Sequence, residues 1–214
     1  MHPKHPRSPS GTRYARHGEG LEFDRLAFFS DAVFAIAMTL LVVGIGIPDS
    51  LDALHEERLE IYSFVISFIV LGNYWLAHHR FFSVLGRFDN RFMVMNLVYL
   101  AAIAFIPFPT ALVGEFEEAS EAVVMYAIAL GIASLLETVM YAHAYRSDFF
   151  RVDVSPERFR FGVLASAVPV VVFAISIPIA LWNTSVALLS WLSVFAIEAL
   201  IGRWRPPDTE TVLD

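Results

Sequence analysis

The sequence contains no cysteine and few charged residues, and both shortages narrow the class of protein. The absence of cysteine excludes disulfide bonds and thiolate metal sites. Charged residues make up 17% of the 214 residues, whereas a typical soluble domain carries about 25%. No basic helix interleaved with aromatic residues is present, so we expect no binding to nucleic acid.

The sequence also lacks the motifs that mark many enzymes and metal proteins. It has no Walker motif, no paired nucleophile and base, and no metal-ligand spacing. A carbonyl-lined selectivity-filter motif is missing as well. We therefore expect a protein that is not an enzyme and that needs no cofactor and no bound metal.

What the sequence has instead is a large apolar content. Hydrophobic residues make up 57% of the chain and aromatic residues 14%, with a mean hydropathy of +0.58. A helix that crosses a bilayer needs about 20 mostly apolar residues. The sequence therefore predicts an all-α, polytopic membrane protein with six transmembrane helices, at residues 28–47, 61–78, 92–112, 122–141, 161–179 and 181–201.

The last two predicted spans are nearly continuous. We expect a break between them because Pro178 disfavours an unbroken helix, and Trp182, Asn183 and Thr184 supply an interfacial aromatic and polar turn residues. Residues 1–22 are rich in Pro, Gly, Ser and Arg and predict a disordered cytoplasmic tail. Residues 23–205 form the predicted transmembrane domain, and residues 206–214 a short cytoplasmic tail.

The basic residues predict the orientation of the six spans. If the chain crosses the membrane at each span, fourteen of its fifteen Lys and Arg residues lie on one side, and Arg58 alone lies on the other. Loops rich in Lys and Arg remain in the cytoplasm. We therefore expect both termini to be cytoplasmic, with acidic loops between spans one and two and between spans three and four.

Polar residues cluster where the first three spans approach the cytoplasmic side. Asp31 lies in the first span, and we expect it to pair with Arg25, His78, His79 or Asn96. The cluster predicts either a polar clasp between three helices or a proton or metal site. We favour the clasp, because adjacent histidines on a helix point about 100° apart and chelate one ion poorly.

Glu137 in the fourth span and Glu198 in the sixth also lie at membrane depth. Each could hydrogen-bond to another helix, extend toward a basic residue at the cytoplasmic end, or act in a proton relay. The sequence leaves these alternatives open.

The first span carries an apolar stripe on one face. At about 100° per residue, the stripe contains Phe29, Ile36, Leu40, Val43 and Ile47, with Thr39 beside it. Ser30 and Asp31 fall on the opposite half of the helix. Periodicity alone predicts an ordinary packing or lipid-facing surface for such a stripe.

The run from Arg25 through Phe29-Ser30-Asp31, followed by AVFAIAMTLLV, closely resembles the first-helix signature of the transmembrane protein 175 family of potassium channels. The segment NYWLAHHR at the end of the second span is similar to that family too. The resemblance implies a homotetramer around a central pore lined by four first helices.

The resemblance also implies roles for particular residues. Ile36, Leu40 and Val43 match the inner, middle and outer positions of a hydrophobic constriction, although leucine is expected where Val43 stands. Thr39 matches a position linked to potassium preference. The signature and clasp residues are Arg25, Phe29, Ser30, Asp31, Trp75, His78, His79 and Asn96.

These observations together predict a potassium-selective, leak-like channel of the cell membrane, surrounded by lipid and conducting potassium and other monovalent cations. The alternative is a proton-coupled transporter that uses Asp31, His78 or His79, Glu137 and Glu198. A membrane scaffold without transport is a third hypothesis.

Overall fold

The computed structural model describes residues 17–47, 50, 58–116 and 118–204, and these are almost entirely helical. The first helix, His17–Leu40, is followed directly by a 3₁₀ turn, Leu41–Gly44. In chain order the helices are α1 (His17–Leu40), α2 (Arg58–Ser83), α3 (Asn90–Phe105), α4 (Pro107–Glu115), α5 (Ser120–Arg146), α6 (Pro156–Trp182), α7 (Thr184–Ser190) and α8 (Leu192–Gly202).

These helices form six segments that are long and apolar enough to cross a membrane. Helices α3 and α4 follow each other through Ile106 and count as one crossing, Asn90–Glu115. Helices α7 and α8 follow each other through Trp191 and count as another, Thr184–Gly202. The prediction of an all-α membrane protein with six transmembrane helices is confirmed.

The predicted tail of residues 1–22 is wrong at its end. Residues 17–22 belong to α1, which begins at His17, while residues 1–16 lie outside the described residues, as do 205–214. Phe23 and Leu26 are buried against the rest of the bundle, so packing stabilises this first part of the helix.

The break between the last two spans lies at the expected turn residues, Trp182, Asn183 and Thr184, rather than at Pro178. Helix α6 continues through Pro169 and Pro178 to Trp182, because α6 packs along α5 and such neighbours support prolines in membrane helices. The break falls at Asn183, which is extended, with φ −157° and ψ 113°. Its side chain accepts a hydrogen bond from the Val186 N–H at 2.9 Å and so caps α7.

Buried polar contacts connect α2 to α5 at two levels. The Ser67 hydroxyl lies 2.7 Å from the Tyr126 hydroxyl and accepts a hydrogen bond from Thr110 at 3.1 Å. Farther along α2, the Tyr74 hydroxyl lies 2.6 Å from Ser134 and donates to the Leu130 carbonyl at 2.9 Å. Interhelical hydrogen bonds of this kind help to hold helices together in a membrane.

The α2–α3 and α5–α6 connections are joined by backbone hydrogen bonds. The Gly86 N–H donates to the Phe149 carbonyl at 2.7 Å, and the Arg151 N–H donates to the Val84 carbonyl at 2.9 Å. Beside them, Asp89 accepts from the Phe92 N–H at 2.7 Å and caps α3. These contacts place both connections on one side of the bundle.

Asp89 also lies 3.2 Å from His143 at the end of α5. Partial burial on its own would raise the pKa of Asp89, but the hydrogen bonds from the Phe92 N–H and His143 outweigh it and lower the pKa. The carboxylate therefore stays charged and links the start of α3 to the end of α5.

The orientation of the bundle is testable because the chain has no cysteine of its own. Glu118 lies in the α4–α5 connection and Asp153 in the α5–α6 connection, and both are exposed. We expect a membrane-impermeant maleimide to label Glu118→Cys on intact cells and Asp153→Cys only after permeabilisation. The unsubstituted protein is the control. The reverse pattern would invert the orientation, and equal labelling would contradict the alternating crossings.

Candidate functional site

Helix α1 has one face in the bundle and one face out of it. The buried face consists of Phe23, Leu26, Ser30, Phe34, Ala37 and Leu41, at the three- and four-residue spacing of one helix side. It packs against α2 and α3. The opposite face carries the predicted stripe, and its side chains are exposed by 50% at Phe29, 59% at Ile36, 45% at Leu40 and 74% at Val43.

A chain of buried hydrogen bonds joins α1, α3 and α2. The Ser30 hydroxyl donates to the Leu26 carbonyl at 2.9 Å and accepts from the Asn96 side-chain amide at 2.9 Å. The other end of that amide, the Asn96 oxygen, lies 3.0 Å from Nε2 of His78. Because this oxygen can accept but not donate, His78 carries a proton on Nε2 and donates it.

Aromatic rings enclose His78. Its ring stacks on Phe82 at a centroid distance of 4.1 Å and on Tyr99 at 5.3 Å, and Phe34 of α1 meets it edge-on at 5.5 Å. His78 is 2% exposed. A histidine so enclosed serves as a hydrogen-bonded packing element, which favours the clasp over a metal or proton site.

Asp31 forms a second contact between α1 and α2, with a partner we did not expect. Its carboxylate accepts a hydrogen bond from the Trp75 indole N–H at 2.9 Å. The four expected partners were Arg25, His78, His79 and Asn96, and none of these hydrogen-bonds to Asp31 within the described residues. An indole N–H is a pure donor, and Trp75 lies one helical turn from His78 and His79.

The remaining clasp residues lie at the edge of this arrangement. His79 is exposed, and its ring lies 5.4 Å from the Trp75 ring. Arg25 is exposed and has no hydrogen bond or ion pair to the described part of the chain. The two adjacent histidines therefore point to different environments, one core and one surface.

Thr39 lies on the exposed face between Ile36 and Leu40. Its hydroxyl donates to the Ile36 carbonyl at 2.8 Å. Because the proton is used within the helix, the oxygen lone pairs remain free to accept from water or to contact a cation. The stripe thus combines branched apolar side chains with one polar oxygen acceptor per chain.

Glu137 and Glu198 lie away from the clasp, in a cavity between α2 and the helices α5, α6 and α8. No group of three or more His, Asp or Glu side chains able to hold a metal ion occurs among the described residues. Sequence reasoning identified both glutamates but missed the cavity, as well as the Ser67–Tyr126 and Tyr74–Ser134 contacts. Hydroxyl groups at membrane depth were the available signal for those contacts.

These features define a helical membrane protein of six crossings whose first helix leaves an apolar face exposed. Residues 25–107 match the family model described as endosomal/lysosomal potassium channel TMEM175. A potassium channel of Streptomyces collinus is 32% identical over 167 residues, which cover 71% of this chain and 81% of that relative. The chain belongs to the TMEM175 family.

Two further relatives have informative names. A solved structure of a lysosomal potassium-selective channel TMEM175 homolog from Chamaesiphon minutus has 28% identity and a TM-score of 0.68, and covers 84% of this chain and 97% of that one. The human endosomal/lysosomal proton channel TMEM175 is 23% identical over 147 residues, 64% of this chain and 29% of the human protein. The predicted family is confirmed, and it is one of ion channels rather than enzymes.

The buried hydrogen-bond chain generates a stability prediction. Asn96→Leu leaves the buried His78 N–H without an acceptor, which costs about 1–3 kcal/mol. It also removes the donor to the Ser30 hydroxyl, which keeps its own hydrogen bond to the Leu26 carbonyl. We expect a clear loss of thermal stability in purified protein, measured by scanning fluorimetry. Asn90→Ala, at an exposed position at the start of α3, is the control. Equal stability of the two variants would contradict the clasp.

Proposed function

We propose that this chain forms a potassium-selective, leak-like channel in the cell membrane, in which four copies surround a central pore lined by α1. The observation that carries the proposal is the exposed face of α1, which runs from Phe29 through Ile36 and Leu40 to Val43. This face lies opposite the buried contacts with α2 and α3. The proposal is also supported by the family to which the chain belongs, because relatives in it are named as potassium channels.

The apolar side chains on this face suit a constriction better than a binding site. A ring of four Ile36 side chains, one from each copy, would remove part of the water around a passing ion. Potassium gives up its water more easily than sodium, so a dehydrating constriction favours potassium. Leu40 and Val43 would extend the same narrow segment outward.

Thr39 supplies the polar counterpart to this constriction. Its proton is held by the Ile36 carbonyl, so four hydroxyl oxygens would face the pore as acceptors and replace part of the water that an ion loses. The acidic residues of the outer connections would raise the cation concentration at the mouth. The remaining apolar surface of the assembly would face lipid.

A proton-coupled transporter is the alternative, and the positions of the titratable groups argue against it. Asp31 is bonded to Trp75, His78 lies among aromatic rings, and the two glutamates line a separate cavity. A relay needs such groups along one connected path. Transport that saturates with potassium and requires a pH gradient would favour the transporter.

The proposed constriction can be tested at Ile36. Ile36→Asn places a hydrated amide in the proposed ring, so we expect potassium flux to rise and the potassium-over-sodium preference to fall. Purified protein in liposomes, measured with potassium and sodium gradients, provides the test. Val171→Asn, at an exposed apolar position of α6, is the matched control and should leave selectivity unchanged. Unaltered selectivity of Ile36→Asn would remove Ile36 from the pore.

The proposed role of the Thr39 hydroxyl can be tested separately. Thr39→Val keeps the shape of the side chain but removes its oxygen, so we expect the preference for potassium to fall several-fold while current persists. Thr39→Ser keeps the hydroxyl and should retain the preference. Bi-ionic reversal potentials of the two variants measure this difference. Equal reversal potentials for valine and serine would argue against a role of the hydroxyl in selection.

A further inference from the structure

The cavity between α2 and the helices α5, α6 and α8 has a volume of about 450 Å³. Small-molecule sites in proteins occupy about 300–1,000 Å³ and are lined mainly by apolar groups with a few polar ones. Small residues on two facing helices make room for it, Ala77 on α2 and Gly162, Ala165 and Ser166 on α6. The cavity lies apart from the exposed face of α1 and shares no residue with it.

Two carboxyl groups lie in this apolar lining. Glu137 comes from α5 and Glu198 from α8, and both line the cavity. Neither forms a hydrogen bond or an ion pair with the described residues. Carboxylates at membrane depth are normally paired or hydrated. A group that would pair with these two carries a positive charge and hydrogen-bond donors.

A further polar group without a partner belongs to the same lining, and a proline weakens the helical hydrogen bonding beside it. Trp191 is 8% exposed, and its indole N–H has no hydrogen-bond acceptor within the described chain. Pro169 lacks an N–H, so the Ala165 carbonyl receives no helical hydrogen bond from it. Trp191 and Glu198 are seven residues apart, about two helical turns or 10 Å along the axis. The cavity therefore offers polar contacts at separated points.

The mouth of the cavity is apolar. Ile66, Leu189, Leu192 and Phe195 line the cavity and are also exposed, by 40–66%. In a membrane these side chains meet the hydrocarbon of the bilayer, so a molecule that reaches the cavity this way must dissolve in lipid. A hydrated metal ion does not fit this route, and two carboxylates supply too few oxygen ligands for one.

We propose that this cavity binds a small hydrophobic amine, whose ammonium group lies between Glu137 and Glu198 and whose apolar body packs against Tyr74, Phe173 and Trp191. A lipid acyl chain would fill the apolar part but would leave both carboxylates unpaired. An ammonium donates hydrogen bonds to both, and such charge-assisted bonds are the strong ones.

The test compares two probes with the same apolar body, 1-adamantanamine and 1-adamantanol, on the purified full-length protein in detergent. A ligand that binds the folded state raises thermal stability in proportion to its affinity. We expect the amine to stabilise the protein at concentrations about tenfold or more below those that the alcohol needs. Stabilisation by neither probe, or equally by both, would overturn the proposal.

Three variants locate the binding. Glu137→Gln and Glu198→Gln should each lower the affinity for the amine about tenfold or more and leave the alcohol unchanged. Glu157→Gln, an exposed glutamate in the first turn of α6, is the matched control and should bind the amine like the parent. Ala165→Phe fills the cavity and should abolish both effects. Amine binding that survives both Glu137→Gln and Ala165→Phe would place it elsewhere and refute the site.

Discussion

The buried hydrogen-bond chain from Ser30 through Asn96 to His78 fixes how α1 is rotated against its neighbours. A rotation of α1 by one residue, about 100°, would take the Ser30 hydroxyl away from the Asn96 side-chain N–H and leave that buried donor without its acceptor. Apolar contacts alone specify this rotation weakly, because the face of α1 toward lipid or toward other copies is apolar too. The polar contacts on one side of α1 therefore determine which side chains the helix presents on the other side.

Much of this arrangement could be predicted from sequence, and the failures have identifiable causes. Hydropathy identifies segments that prefer lipid to water, so it predicts six crossings. It carries no information on helix packing, and so it does not predict that α6 continues through Pro178 beside α5. The polar composition of residues 17–22 predicted a tail. In the structure these residues continue α1, and Phe23 and Leu26, which follow them, are buried against the bundle. Charge complementarity suggested basic or amide partners for Asp31, yet the neutral indole of Trp75 is the group that the helix packing brings within reach.

The cavity illustrates a different limit of sequence reasoning. Glu137 and Glu198 stood out individually, since carboxyl groups at membrane depth are costly. Their common location depends on how α2, α5, α6 and α8 pack together, which the sequence does not state. The hydroxyl contacts between α2 and α5 hold that pair of helices together, and the joined α2–α3 and α5–α6 connections close one end of the bundle. Space remains where α2 faces α6 and α8 without such contacts.

The 3₁₀ turn at the end of α1 changes how the last two side chains of the stripe are aligned. In a 3₁₀ helix, residues three apart eclipse each other, whereas in an α-helix they differ by about 60°. Leu40, with φ −67° and ψ −21°, already has 3₁₀ dihedrals, and Val43 lies three residues beyond it. The tighter backbone therefore aligns the side chains of Leu40 and Val43 parallel to the helix axis. In a regular α-helix the same two side chains would be displaced from each other around the axis.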